Sequence, residues 1–211
     1  MVSIVIPTYN RPDLVIRAIN SALKHDVEKE IIVVNDCSDT DYSAIKDLPI
    51  DLYIEFPENL GLSKARNKGI SQAKYKWILP LDDDDELCEG VLKEMVKLGE
   101  ESDADVVYGN VIYHGNRLIP NKDIKPDDFK KNNQLYVSSL FKKDLWEQIG
   151  GYWEVRDVYE DWDFWGRISR AGFKFKYIPI DVYKYHGGEA VSGLEKQRED
   201  ISKKVVEHIF K

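Results

Sequence analysis

The chain has little cysteine, no basic run and no long apolar stretch, and each shortage excludes something. Its two cysteines, Cys37 and Cys88, stand apart beside acidic turns. They form no Cys-x-x-Cys pair, so neither a zinc site nor a disulfide framework is indicated, and reduced thiols are expected. No segment approaches the ~20 apolar residues of a membrane-spanning helix. The opening Met1-Val2-Ser3-Ile4-Val5-Ile6-Pro7 is too short and too uncharged for a secretory signal. Lysine and arginine nowhere gather into a stripe, and the formal net charge is −8. A nucleic-acid backbone is therefore not an expected partner. Smaller phosphate ligands stay open, because a bound divalent cation reverses the local sign. Internal repeats and low-complexity segments are also missing.

What is present reads as one domain. At 211 residues a chain buries roughly 70% of its unfolded surface. Hydrophobic residues make up 43% and charged residues 32%, as in a soluble globular protein. Val2 to Ile6 is a β-branched run that Pro7 is expected to stop, and it reads as a buried strand. Glu30 to Val34, Leu52 to Phe56, Trp77 to Leu81 and Asp105 to Tyr113 read as further strands. Between them, Asp13 to Leu23, a segment capped by Ser63, and Val91 to Leu98 read as helices, with Pro12 suited to a first turn. Such alternation predicts an α/β fold with a mostly parallel sheet covered on both faces. Ligands of these sheets sit outside the carboxyl ends of the strands. Here those ends carry Thr8-Tyr9-Asn10, Asn35-Asp36 and Asp82 to Asp85, an acidic edge.

The second half is less regular. Residues 114–135 are polar without a clear period and read as a loop or mobile segment. Val137 to Phe141 reads as a strand, Lys143 to Ile149 as a helix stopped by Gly150-Gly151, and Asp161 to Ala171 as a helix ended by Gly172. Phe175 to Ile178 and Val182 to Tyr185 read as two short strands divided by Pro179. A last helix, about Leu194 to Phe210, puts Ile201, Val205 and Ile209 on one face as a core stripe.

Four features carry chemistry. The run Asp82-Asp83-Asp84-Asp85 follows a buried strand directly, and four adjacent carboxylates repel one another unless a hard cation such as Mg²⁺ or Mn²⁺ joins them. A solvated acidic turn is the bland alternative. In an extended segment Asp82 and Asp84 share one face, and Asp83 and Asp85 the other. Arg66, expected in the first turn of the Ser63 helix, is placed to reach a diphosphate or a base edge, or simply to lie in solvent. In Glu160-Asp161-Trp162-Asp163-Phe164-Trp165, apolar walls can raise a carboxylate toward the range of a general base, while Trp162 and Trp165 suit the core. His186 precedes Gly187-Gly188 and is either structural or a ligand.

Ser3 to Arg11, Ile32 to Asp39, Asn59 to Gly69, Leu81 to Leu87 and Tyr159 to Gly172 together resemble the family 2 glycosyltransferases, in order and at similar spacing, over about residues 2–190. The resemblance implies a GT-A fold in a single catalytic domain. A nucleotide-sugar half would span 1–113, an acceptor and base half 114–190, and a C-terminal helix 191–211. It implies that Pro7, Thr8, Tyr9 and Asn10 line the base pocket, that Asp36 binds base or ribose, and that Arg66 lies beside the nucleotide. Asp82 and Asp83 would sit near the ribose and Asp84 would hold Mn²⁺ or Mg²⁺, although a run of four leaves the register open to Asp85. His186 matches a position that supplies a further metal ligand in some members. Asp161 matches the base of an inverting displacement. The implied donor is a nucleotide diphosphate sugar, with UDP the default as the commonest base in the family. The implied acceptor is a glycan, a lipid-linked saccharide or a protein, and 114–135 is the candidate acceptor loop. Many relatives carry membrane helices after this point. Here one amphipathic helix follows, so a cytoplasmic enzyme, free or at the cytoplasmic face of a membrane, is expected.

Three rival readings fit less well. A sugar nucleotidyltransferase would need a glycine-rich phosphate loop that Pro7-Thr8-Tyr9-Asn10-Arg11 lacks. A silent nucleotide-sugar or glycan-binding module would not need Asp161. A metal-dependent nuclease conflicts with the acidic balance.

Overall fold

The computed structural model describes residues 1–156, 158–187 and 198–211. Its elements run β1 (Val2–Thr8), α1 (Pro12–Leu23), β2 (Lys29–Asn35), α2 (Ser43–Lys46), β3 (Leu52–Glu55), α3 (Leu62–Gln72), β4 (Trp77–Pro80), β5 (Glu86–Leu87) and α4 (Val91–Glu101). They continue with β6 (Val106–Tyr113), β7 (Asn116–Leu118), a 3₁₀ turn (Pro126–Lys130), β8 (Leu140–Lys142), α5 (Lys143–Ile149), α6 (Glu160–Arg170), β9 (Phe175–Tyr185) and α7 (Arg198–Ile209).

One sheet organises the chain in the order β3-β2-β1-β4-β8-β6-β9-β5, with β7 paired to β6. The β3-β2-β1-β4 half is parallel, as β-branched runs buried on both faces require. The other half is mixed: β8 runs antiparallel to β4 and β6, β6 and β9 are parallel, and β5 is antiparallel to β9. The two-residue period of β1 divides the core. Val2, Ile4 and Ile6 pack on one face against residues of α1 and α4, while Val5 joins the opposite core with residues of α3, α6 and α7. Ile201, Val205 and Ile209 lie in that second core, as their spacing predicts; residues 194–197 and Gly188 fall outside the described residues. Cys37 and Cys88 are free thiols. No helix of the described residues is long and apolar enough to cross a membrane.

Five expectations are corrected. Pro7 does not stop β1, which runs to Thr8 with Pro7 opposite Val34. The Val5 carbonyl accepts from Leu81 on the β4 side and the Thr8 carbonyl from Asp36 on the β2 side. Alternation therefore turns Pro7 toward the β4 side, beyond the last β4 partner Pro80, where no N–H is called for. Pro179 does not divide two strands either. Residues 178–180 bulge opposite Gly109 inside the single strand β9, and only glycine fits there: a Cβ on Gly109 would meet the Ile178 and Ile180 carbonyls at 2.9 and 2.8 Å. Segment 114–135 is not a plain loop, because it supplies β7, the 3₁₀ turn, and the buried Phe129 and Leu135. The strand expected over 137–141 begins only at Leu140. Ser63 does not cap α3, whose N-cap is Gly61; Arg66 consequently sits in the second turn.

Candidate active site

The carboxyl ends of β1, β2 and β4 open on one cavity of about 660 Å³. Pro7, Thr8, Tyr9, Asp36, Gly61, the turn Asp82–Asp84, Arg156 and Tyr185 line it. A larger groove of about 800 Å³ lies between α3 and α5. Phe56, Leu60 and Trp146 are among its walls, and it lacks any such convergence of carboxylates, so the chemistry belongs to the smaller cavity.

The aspartates that follow β4 leave the strand in a turn closed by the Asp85 N–H on the Asp82 carbonyl at 3.1 Å. That turn replaces the alternation expected of an extended segment. Asp82, Asp84 and Asp85 each bring one oxygen within 4.8 Å of the others. Asp83 instead accepts from the Thr8 hydroxyl at 2.9 Å and from Arg11 Nη1 at 3.2 Å. Burial, against the pull of Arg11, pushes the Asp83 carboxyl up to about 6. Burial and then Asp82 raise Asp84. Asp85 is fully buried, and burial with the neighbouring Asp82 charge pushes it up to about 9. One Asp85 oxygen takes the His186 backbone N–H at 3.1 Å, and the other has no partner among the described residues. Three converging carboxylates, one holding an orphaned buried oxygen, fit a hard divalent cation. His186 is not part of the convergence. Its Nε2 lies 3.0 Å from Glu86, and the converging oxygens belong to Asp82, Asp84 and Asp85.

Of the residues expected at the base pocket, Pro7 and Thr8 line the cavity and Tyr9, 43% exposed, stands on its rim. Asn10 does not line it. With φ at 55°, its N–H donates to the Ser38 hydroxyl and its side-chain oxygen accepts from Asp39, both at 2.8 Å, tying the β1 and β2 ends together. Asp36 does line it, held by the N–H groups of Leu60 at 2.7 Å and Gly61 at 2.8 Å. Gly61 presents that N–H at φ 95°, a conformation that favours glycine.

Arg66 is corrected most. Only 1% exposed, it donates to Asp82 and to Glu160 at 2.5 Å each and lies 5.4 Å over the Tyr152 ring. Burial works against its charge, but Asp82 and Glu160 outweigh it and hold the guanidinium well above its ordinary range. It joins the aspartate turn to α6 instead of lining the cavity.

Asp161 occupies the first turn of α6 and is half-buried. Burial, and next the Glu160 charge, push its carboxyl up to about 7. Its oxygens accept from the Trp162 N–H and from Asn133 Nδ2, each at 2.8 Å. Trp165 is fully buried, and Trp162 donates from its ring to the Phe129 carbonyl at 2.9 Å, so both are core. Behind them the buried Asp163 binds Arg167 at 2.7 Å and His208 of α7 at 2.5 Å. Asn133 carried no signal in the sequence, and Glu160 stood beside Asp161 with no role of its own; both act through partners far along the chain.

Comparison with known proteins extends this picture. Residues 3–151 match the family described as "Glycosyl transferase family 2", a span that stops short of Asp161 and His186. The chain is similar to the succinoglycan biosynthesis protein ExoO of Rhizobium meliloti, with 36% identity over 115 residues, 52% of this chain and 33% of that protein. It is similar to the poly-beta-1,6-N-acetyl-D-glucosamine synthase of Staphylococcus aureus, with 27% identity over 223 residues, 93% of this chain and 52% of that protein. The chain thus spans about half or less of these relatives. In fold it is similar to S. aureus TarS 1-349 in complex with UDP, at a TM-score of 0.76 and 21% identity over 87% of this chain and 60% of that one. It is also similar to the mannosyltransferase PcManGT of Pyrobaculum calidifontis in complex with GDP-Man and Mn²⁺, at a TM-score of 0.68 and 19% identity over 90% of this chain and 57% of that one. The single α/β domain with its mixed, helix-flanked sheet is the GT-A fold.

Proposed function

Because the chain belongs to glycosyl transferase family 2, we propose that it moves a sugar from a nucleoside diphosphate donor onto a hydroxyl of a glycan or lipid-linked saccharide, with inversion and with a divalent cation. One observation carries the reading. A buried arginine, Arg66, joins a carboxylate cluster suited to a cation to the helix bearing a carboxylate whose proton affinity lies near neutrality.

In this reading Pro7, Thr8, Tyr9 and Asp36 form the wall that receives the base and ribose. Asp82, Asp84 and Asp85 would hold Mn²⁺ or Mg²⁺, which when bound neutralises charge growing on the departing diphosphate. Asp161 takes the proton of the acceptor hydroxyl as that oxygen attacks the anomeric carbon from the face opposite the diphosphate. A carboxylate near neutrality is matched to that task. UDP is the first donor base to test: TarS is described in complex with UDP and with UDP-GlcNAc, although PcManGT is described with GDP-Man. The names of the curated relatives point to polysaccharide synthesis as the setting.

Thermal unfolding with UDP, GDP, dTDP and CMP, each in Mn²⁺ and in chelator, tests the proposal. Ligand at 100 times its dissociation constant adds about 2.7 kcal/mol of stability. A midpoint rise for one nucleotide that chelator abolishes is expected. No rise for any of them would sink the donor reading.

A further inference from the structure

Each oxygen of Asp161 accepts one hydrogen bond, Oδ1 from the Trp162 backbone and Oδ2 from Asn133. A carboxylate offers about four lone-pair positions. Both oxygens therefore keep one lone-pair position beyond these bonds. The Asn133 amide is not free to turn over, because its own oxygen accepts the Leu135 N–H at 3.3 Å and Leu135 is buried. Nδ2 is thus the edge that faces Asp161. The stretch leading to Asn133 is fastened to α6 as well, since Phe129 is buried and its carbonyl takes the Trp162 ring N–H; within the stretch, Gln134 donates to the Asp128 carbonyl at 3.1 Å.

The charges around Asp161 are mostly hostile to its ionised form. Glu160 on its own helix and Asp82 from the turn after β4 oppose ionisation, and Arg66 from α3 favours it. Tyr152, from the segment after α5, and Tyr183 and Tyr185, both from β9, are the other titratable groups that feel its charge. Arg66 is already divided between Asp82 and Glu160. Among the described residues, Asn133 supplies the one side-chain hydrogen bond to this carboxylate.

We propose that Asn133 is a positioning residue, which aims the Asp161 carboxylate and favours its ionised form for proton removal. The inference rests on Asp161 being the base. It also gives segment 114–135 a role in holding the base, beside the role at the acceptor expected from the sequence.

Two variants test it. Asn133→Ala deletes the donor; Asn133→Asp keeps the shape and puts an acceptor where the donor was. The first readout needs no substrate: ¹³C NMR titration of aspartate carboxyls in chelator, with Asp161 identified as the resonance missing from Asp161→Asn. Loss of a hydrogen bond to a charged group moves the midpoint up by about one pH unit or more, and Asn133→Asp should move it further than Asn133→Ala. The second readout is UDP release from UDP-N-acetylglucosamine in Mn²⁺ across pH. Its acid limb should move up by the same amount, with the donor KM unchanged and the rate recovering at high pH. An unshifted midpoint in both variants overturns the proposal. So does a rate loss equal at every pH, which marks a merely structural role. If Asp161→Asn itself keeps full turnover, the base assignment falls and the proposal falls with it, a result that the wild-type and Asp161→Asn rates alone reveal.

Discussion

Arg66 lies 2.5 Å from Glu160, the residue immediately before Asp161, although 94 positions separate the two in sequence. The same guanidinium holds Asp82, so one side chain sets the distance between the aspartate turn and the helix of the base.

Removing Arg66 should therefore damage more than one contact. Arg66→Ala leaves Asp82 and Glu160 without their shared buried cation, and breaking a buried pair from one side costs about 3–5 kcal/mol, a ceiling here because both carboxylates are partly exposed. Denaturant unfolding should show a loss of that order, with transfer abolished even where the variant remains folded. A variant of wild-type stability would show that the bridge does not support the fold.

Asp161→Asn should keep nucleotide binding and lose transfer by about 10²- to 10⁴-fold. Its stability should change in the opposite direction from its activity. Folded Asp161 holds its proton up to about pH 7, whereas an unfolded aspartate releases it near pH 3.9. The folded state binds more protons across that window, so this group's contribution falls as pH rises through it. The asparagine amide of the variant does not ionise. In chelator the variant should melt above the wild type at pH 8 and lose that advantage at pH 4, as calorimetry at the two pH values would reveal.

Asp85 gives a second test of the same kind, with the cation added. Its buried, unpartnered oxygen makes ionisation costly while no cation is bound. Asp85→Asn should raise the melting temperature in chelator and reduce the further rise produced by Mn²⁺. Asp84→Ala should weaken Mn²⁺-dependent nucleotide binding itself. Equal Mn²⁺ responses in wild type and both variants would remove the cluster from the metal assignment.

Gly61→Ala probes the cavity wall. The residue sits at φ 95°, where a side chain costs about 1 kcal/mol or more. Relaxation of that strain withdraws the Gly61 N–H from Asp36. A lower midpoint and a higher nucleotide dissociation constant are expected together in one titration series.

Much of the parallel half was legible because its signals are local. β-branched runs gave β1 and β2 to within a residue or two at either end, and Lys143 to Ile149 with Gly150 beyond it gave α5. Asp161 was legible as a carboxylate among aromatics in a first helical turn. What escaped was set by partners distant in sequence. Four identical aspartates do not encode which of them turns away; the Thr8 hydroxyl draws Asp83, while Arg11 is shared between Asp83 and Asp84. Arg66 read as a cation beside the nucleotide, or one lying in solvent, because both its carboxylates come from elsewhere. Pro179 read as a break because the glycine that lets the strand bulge over it, Gly109, belongs to another strand.

The clasp of Asp163 on His208, across 45 positions, also bears on folding order. Asp161 and Asp163 share a helix, but the back of that helix is completed only by α7, the most C-terminal element described. Contacts between distant segments form late, since long loops must close first. During synthesis most of the nucleotide wall, from Pro7 to Asp84, is thus made well before the base can settle. The chain should pass through a stage that is able to hold a donor and not yet able to use it.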